Sequence, residues 1–275
     1  MPRQPLVMGV LNITPDSFSD GGKFTDASHA AAAAAEMVAA GADLLDIGGE
    51  STRPGSSPVD VAEQVRRVVP VICAIRDAFQ TSPILISIDT TRAEVASAAL
   101  DAGANLVNDI SAGRNDADML PLIARRRVPV ILMHMQGTPA TMQQNPHYDD
   151  VITEVMCFFQ ERLQVCADLG IAAACVVLDP GIGFGKTAAH NAELLARLDE
   201  VLTLGRPICL GVSRKGFLGR LLARDIGERL AGSLAVVCDA LQQQSAQLFR
   251  VHDVGPTRDV LRVLTTLADL REKRP

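Results

Sequence analysis

Eight short apolar runs recur along the chain, each followed by a longer stretch with helical spacing, and this repeat restricts the fold more than any other feature. The runs cover residues 6–11, 43–47, 84–88, 106–107, 128–133, 175–178, 208–212 and 248–251. Continuous apolar runs, unlike alternating ones, belong to parallel strands covered on both faces. The stretches between them read as helices. In one, Val151, Val155, Phe158, Phe159, Leu163, Cys166 and Leu169 fall on one stripe, with Glu154, Gln160, Glu161 and Arg162 expected opposite. Gly41, Gly103 and Gly170 mark helix ends, each a few residues before the next run. The expected architecture is an α/β TIM (β/α)8 barrel, one domain over residues 1–275. An open doubly wound sheet is the rival, but no G-x-G-x-x-G follows the first run.

Composition acts mainly by exclusion. A chain that is 48% hydrophobic and 21% charged has the balance of a globular protein with a large core. The six alanines at 30–35 read as a tightly packed helix, not as low complexity. A net charge of -6, with no Trp and one Tyr, argues against a nucleic-acid binder, which needs basic faces and stacking surfaces. The six cysteines form no C-x-x-C and lie mostly in apolar surroundings, so they are expected to be buried, reduced thiols. The apolar run at 6–11 is too short for a signal-peptide core, and none approaches the roughly 18 residues that span a membrane. A soluble, cytoplasmic protein is expected.

Each run delivers polar residues where it ends. The first reaches Asn12, the second Asp46 and Glu50, the third Asp89, and the fourth Asn108 and Asp109. His134 and Asp179 follow the fifth and sixth, Ser213, Arg214 and Lys215 the seventh, and Arg250 and His252 close the series. In a barrel all strand C-termini open on one face, where chemistry is placed. Asp89, Asn108 and Asp179 suit a flat, donor-rich heterocycle, because a carboxylate accepts parallel hydrogen bonds from a guanidine-like edge. Lys215, Arg250 and His252 suit an anion. A bland alternative is that Asp179 and Lys215 only pair with each other. The loops at 12–22 and 48–58 are long and rich in Gly, Pro and Ser, and they carry Phe18 and Arg53, so they read as lids. The G-K-T at 185–187 is no P-loop, since Pro180 stands where that motif needs Gly. The scattered histidines show no zinc-ligand spacing.

The segments at 11–22 (LNITPDSFSDGG), 48–55 (GGESTRPG), 179–186 (DPGIGFGK), 213–215 (SRK) and 250–254 (RVHDV) resemble, in order and in register, the dihydropteroate synthase family. The resemblance implies that dihydropterin pyrophosphate and 4-aminobenzoate combine to dihydropteroate and pyrophosphate, assisted by Mg²⁺. It places the pterin on Asp89, Asn108, Asp179 and Lys215. It places the pyrophosphate on Thr52, Arg53, Arg250, Val251 and His252, with Asn12 beside the metal. The aminobenzoate is expected among Phe18, Thr52, Pro54, Phe184 and Lys215, with Asp16 helping to enclose the reacting carbon. Asp16, Arg53, Lys215, Arg250 and His252 are thus the expected catalytic set. One position departs from some members: Gly216 stands where they carry a Ser whose hydroxyl can meet the aminobenzoate carboxylate, leaving only a backbone N–H. The resemblance also implies small-molecule substrates, no nucleic-acid or membrane partner, and a homodimer through outer helices near the C-terminus. Three rival readings remain: a pterin-dependent methyltransferase, a Schiff-base aldolase using Lys215, and a non-catalytic pterin binder. The first lacks a corrinoid-binding domain, the second leaves the anion cluster unexplained, and the third leaves the lid loops without a task.

Overall fold

The computed structural model describes residues 5–13, 23–51, 58–81 and 84–273. Among these residues eight parallel strands form one sheet: β1 (Leu6–Asn12), β2 (Leu44–Gly48), β3 (Leu85–Asp89), β4 (Leu106–Asp109), β5 (Val130–Met133), β6 (Val176–Asp179), β7 (Cys209–Leu210) and β8 (Leu248–Val251). Their order is β6-β5-β4-β3-β2-β1-β8-β7. The two ends of that row meet, because Leu178 of β6 bridges Ile208 in the parallel sense and its amide donates to the Pro207 carbonyl at 2.9 Å. The sheet is a barrel with a short β6–β7 seam, as the eightfold repeat predicts.

The helices pack outside it: α1 (Lys23–Ala39), α2 (Val61–Ala78), α3 (Ala93–Asp101), α4 (Met119–Arg126), α5 (Val151–Asp168), α6 (Ala188–Ala196), α7 (Leu198–Leu202), α8 (Gly216–Leu222), α9 (Leu230–Gln242) and α10 (Val254–Glu272). Local chemistry sets several starts. The Asp60 carboxylate accepts from the Ala62 amide at 3.0 Å, Asp150 from Thr153 at 2.7 Å, and Thr187 from His190 at 3.1 Å, each satisfying an amide that the helix cannot. Gly41, Gly103 and Gly170 do close helices, with φ of 103°, 113° and 74°. No helix among the described residues is long and apolar enough to cross a membrane.

Two expectations change. On α5, Arg162 is buried (8% exposed) and Leu169 is exposed. Arg162 faces the buried Asp109 carboxylate, whose charge it stabilises, and Leu169 lies one residue past the helix, where its stripe no longer applies. All six cysteines are free, but only Cys166 and Cys209 are buried, while Cys73 and Cys157 stand on outward faces of α2 and α5.

Side-chain alternation along the strands builds the site. Met8, Leu44, Leu106, Ile131, Cys209 and Leu248 form an apolar plug inside the barrel, with Leu6 and Val177 packed on it. Residues next to these, such as Leu45, Val107, Leu132 and Phe249, belong to the larger core that joins the sheet to the helices. Because strand side chains repeat every second residue, the next inward layer toward the C-terminal mouth is 46, 108, 133, 179, 211 and 250. It holds Asp46, Asn108, Met133, Asp179, Gly211 and Arg250, joined from β3 by Asp89, which is in register with Asn108. The same strands that seal the barrel floor thus lay a polar layer directly above it.

Candidate active site

Arg250 is the hub of that layer. Its Nε donates to Asp46 Oδ2 at 2.6 Å and its Nη2 to Asp89 Oδ2 at 2.7 Å, so two carboxylates from β2 and β3 grip one guanidinium from β8. Asn108 Nδ2 donates to the same Asp46 oxygen at 3.0 Å. These charge-assisted bonds hold Arg250 by the edge that usually clasps an anion. What remains for a ligand is the two Nη1 donors, the second Nη2 hydrogen and the flat guanidinium face.

Burial dominates the electrostatics. It raises Asp89 to about 7; Arg250 opposes the rise, and the carboxylates of Asp46, Asp109 and Asp179 add to it. Burial also raises Asp179, against the Gly181 amide and the cations Lys215, Arg250 and Lys186. Lys215 is lowered to about 8 by burial, with Asp179 pulling it back up. Arg250 would be lowered by burial too, but Asp46 and Asp89 more than offset this and keep it charged.

Asp179 and Lys215 make no contact ion pair, so they do not merely satisfy each other. Asp179 Oδ1 accepts from the Gly181 amide at 2.8 Å. Lys215 Nζ instead stands 4.2 Å from the centre of the Phe184 ring, a cation–π distance. Gly211 fills the β7 place in the layer, where even a Cβ would stand 3.9 Å from Asp179 Oδ2, so the space beside that oxygen is open. Ile110, Met133, Met135 and Met142, with Phe184 packed against them, make an apolar wall at the same end of the barrel. A cavity of about 740 Å³ adjoins the layer at Asp89, and Glu50, Arg92, Ile110, Met135 and Thr138 are among the other residues that line it. The arrangement suits a flat heterocycle with several donors: acceptor oxygens at its rim, a cationic plane, apolar sides and one ammonium.

Several other strand-end residues turn away, and alternation explains Asp109, His134 and Val251. Asp109 follows Asn108, so it faces outward, where its carboxylate accepts from the Ser111 amide, the Ser111 hydroxyl and the Gly113 amide, each at 2.7 Å. His134 follows Met133 and packs edge-on against Phe158 at 4.9 Å. Burial, with Lys186 and Arg114 nearby, keeps His134 neutral far below its usual range. Glu50 accepts from the Val59 amide and Gln64, and Arg214 grips Asp253 through Nε and Nη2, so both fasten loops. Val251 also faces outward, into the main core. His252 returns to the inward phase, and its Nδ1 and amide lie 3.2 Å from the Ser213 hydroxyl. Gly216 opens α8 next to Lys215. Asn12 ends β1 in register with Gly48, whose neighbour across the sheet is Asp89. Asp16, Phe18, Thr52, Arg53 and Pro54 lie outside the described residues.

One buried cation escaped the strand-end reading. Lys186, fully buried, places Nζ 2.9 Å from His134 Nδ1 and donates to the carbonyls of Gly181 and Phe184, both at 3.1 Å. It ties the loop after β6 to the end of β5. Gly181 makes that approach possible: its φ is 68°, and a Cβ there would meet the His134 carbonyl oxygen at 1.9 Å. The signal was present as the lysine of a motif that is not a P-loop.

Comparison with known proteins agrees with this geometry. Residues 8–252 match the family model described as pterin binding enzyme. The chain is 45% identical over 270 residues to the dihydropteroate synthase of Escherichia coli K12, covering 98% of this chain and 94% of that protein. Among solved structures, the Yersinia pestis dihydropteroate synthase in complex with a sulfonamide drug superposes with a TM-score of 0.89 at 44% identity, covering 97% of this chain and 95% of that one. The Xanthomonas albilineans dihydropteroate synthase with 4-aminobenzoic acid gives 0.89 at 44% identity, covering 99% and 94%.

Proposed function

Because the chain belongs to the pterin-binding enzymes and, within them, to the dihydropteroate synthases, we propose how its own residues divide the labour of that reaction. The reaction joins 7,8-dihydropterin-6-ylmethyl pyrophosphate to 4-aminobenzoate, giving 7,8-dihydropteroate and pyrophosphate. The observation that carries the assignment is the inward layer of Asp89, Asn108, Asp179 and Arg250, whose remaining acceptors face an ammonium and an apolar wall.

Asp179, Asn108 and Asp89 accept from the ring and amino N–H groups of the pterin. Lys215 donates to its ring acceptors, and Arg250 presents its guanidinium face. Binding displaces water from a site that is already largely desolvated, which strengthens each of these bonds. At the exocyclic methylene the C–O bond breaks and its electron pair leaves with pyrophosphate, while the electron-rich ring shares the positive charge. The arylamine lone pair then forms the C–N bond, and the ammonium proton passes to pyrophosphate or solvent. No strong base is needed, since an arylamine is a neutral nucleophile. Arg250 Nη1 and His252 are assigned to the departing pyrophosphate, together with Val251 through its backbone. The sequence resemblance adds Thr52 and Arg53 to that group, and it brings Asp16 over the reacting carbon. Phe184 and Lys215 line the aminobenzoate subsite, to which the sequence resemblance adds Phe18, Thr52 and Pro54, and the Gly216 amide is the donor offered to its carboxylate.

Mg²⁺ fits this chemistry. It takes hard oxygen ligands, keeps several waters, and is commonly held by one or two protein oxygens plus phosphate. Asn12 Oδ1 is such a donor, and the bare Gly48 beside it leaves room, since a Cβ there would come within 3.3 Å of that oxygen. When bound, the ion neutralises charge on the leaving pyrophosphate.

Positional isotope exchange tests the order of steps. With ¹⁸O in the bridging position and an arylamine that cannot attack, early C–O cleavage scrambles the label. A label that stays in place there, while 4-aminobenzoate is turned over normally in a parallel reaction, means that attack and departure are concerted.

A second copy of the chain is assigned to the outer face of α8, α9 and α10. Leu221, Leu222, Ile226 and Leu230 are exposed there, and Val263, Leu267 and Leu270 form one stripe of α10. Clustered exposed apolar side chains of this kind mark association surfaces. Sedimentation should give a dimer that Leu267→Glu dissociates; a monomeric parent chain contradicts the assignment.

A further inference from the structure

We infer that Asp46 is a positioning residue that sets the pterin specificity of the site, by fixing which end of the Asn108 amide is the acceptor and by holding the Arg250 plane. The inference rests on the pterin reading of the inward layer and deepens it. Asp46 is fully buried on β2. Its Oδ2 receives both the Arg250 Nε at 2.6 Å and the Asn108 Nδ2 at 3.0 Å, and its Oδ1, also buried, has no hydrogen-bond partner. It is therefore covered by the two groups it binds, and it acts through them without touching a ligand.

The consequence follows from donor and acceptor types. An amide looks nearly symmetric in shape, and only its partners decide which end is oxygen. Asp46 Oδ2 already accepts from the Arg250 Nε–H, so the end of Asn108 that meets the same oxygen is the NH₂ group. The Asn108 oxygen is then fixed as an acceptor toward the mouth, alongside the carboxylates of Asp89 and Asp179. Three acceptors favour a heterocycle whose edge carries N–H and NH₂ groups, and they reject one that carries a carbonyl there. The guanidinium gains in the same way: gripped by Asp46 at Nε and Asp89 at Nη2, it cannot rotate about its own axis. Sites built to hydrogen-bond one group reject analogues lacking it by large factors, because the buried partners are left unpaired.

The test compares two probes by calorimetry. One is 2-amino-4-oxopteridine; the other is 2,4-dioxopteridine, in which a carbonyl replaces the amino group. The parent chain should prefer the amino compound on the order of 10²-fold or more. In Asp46→Asn the partner of Asn108 has both a donor and an acceptor end, so Asn108 can turn over, and the preference should fall on the order of tenfold. Asn108→Ala should lose a similar part of the preference, and the double variant little more. If Asp46→Asn folds poorly, Asp46→Ser runs the same comparison with a smaller polar side chain. Equal weakening of both probes, with the ratio unchanged, means that Asp46 is only structural and overturns the inference. A parent chain that binds neither probe overturns the underlying pterin assignment instead, so the two failures are distinguishable.

Discussion

Lys215 and Lys186 are both lysines whose charge is disfavoured by burial, and both lie within the field of Asp179, yet the structure treats them oppositely. Around Lys186 a neutral imidazole and two carbonyls supply an acceptor for each of its donors. Lys215 has an aromatic face 4.2 Å away and, among the described residues, no hydrogen-bond acceptor. Lys186 is fully buried, whereas Lys215 is only half-buried, so its ammonium stays open to the mouth of the barrel. The first lysine is a bolt between loops, and the second is the one that the proposed function gives to the substrates. The same contrast separates Asp109, whose carboxylate receives three donors from its own loop, from Asp179, which receives one.

The largest effects should appear when the open group is changed. Lys215→Met should lower kcat/KM by about 10²- to 10³-fold while hardly moving the unfolding temperature, by the scale of losing one transition-state donor. Arg250→Ala should cost on the order of 10²-fold in turnover. It should also destabilise the fold by roughly 3–5 kcal/mol, because Asp46 and Asp89 lose their shared cation. Steady-state kinetics and thermal melts measure both, and near-normal turnover in either variant removes the corresponding role. Lys186→Met should reverse the pattern, with a stability loss of about 2–4 kcal/mol from its abandoned acceptors. Its kcat/KM, taken well below the melt, should stay within about threefold of the parent. A large catalytic loss without a stability loss would abolish the distinction between the two lysines.

Alternation along the strands made more of this legible than the strand ends alone suggest. All eight strands stand where the apolar runs place them, and Asp46, Asp89, Asn108, Asp179 and Arg250 share the inward phase. The same period assigns Asp109, His134 and Val251 to the outer face, since each directly follows an inward residue, so counting in twos sorts a ring that residue type cannot. The grip of two carboxylates on Arg250 was hidden, because it depends on strands that are distant in sequence coming together when the barrel closes. Arg162 was misplaced for a related reason: helical spacing treats Arg as polar surface, but a buried Asp109 on the sheet supplies a partner that the helix alone does not reveal.

A smaller effect concerns pH. The proposed function uses Asp89 ionised, with a value raised to about 7, and Lys215 protonated, with a value lowered to about 8. kcat/KM should therefore fall as pH drops below about 7, where Asp89 gains a proton, and again as pH rises above about 8, where Lys215 loses one. A profile flat from pH 6 to 9 would show that neither titration governs binding. The smallest effect is chemical. An arylating thiol reagent should modify Cys73 and Cys157 rapidly and Cys209 only on unfolding, with activity retained after the fast phase.

The most direct test of the central claim is pyrophosphate release from the dihydropterin pyrophosphate, measured with and without 4-aminobenzoate and Mg²⁺ and followed by the mass of the product. Release that tracks the formation of dihydropteroate, and that collapses in Lys215→Met but not in Lys186→Met, is the predicted result. Pterin binding without condensation, or equal loss of condensation in the two lysine variants, would contradict the account.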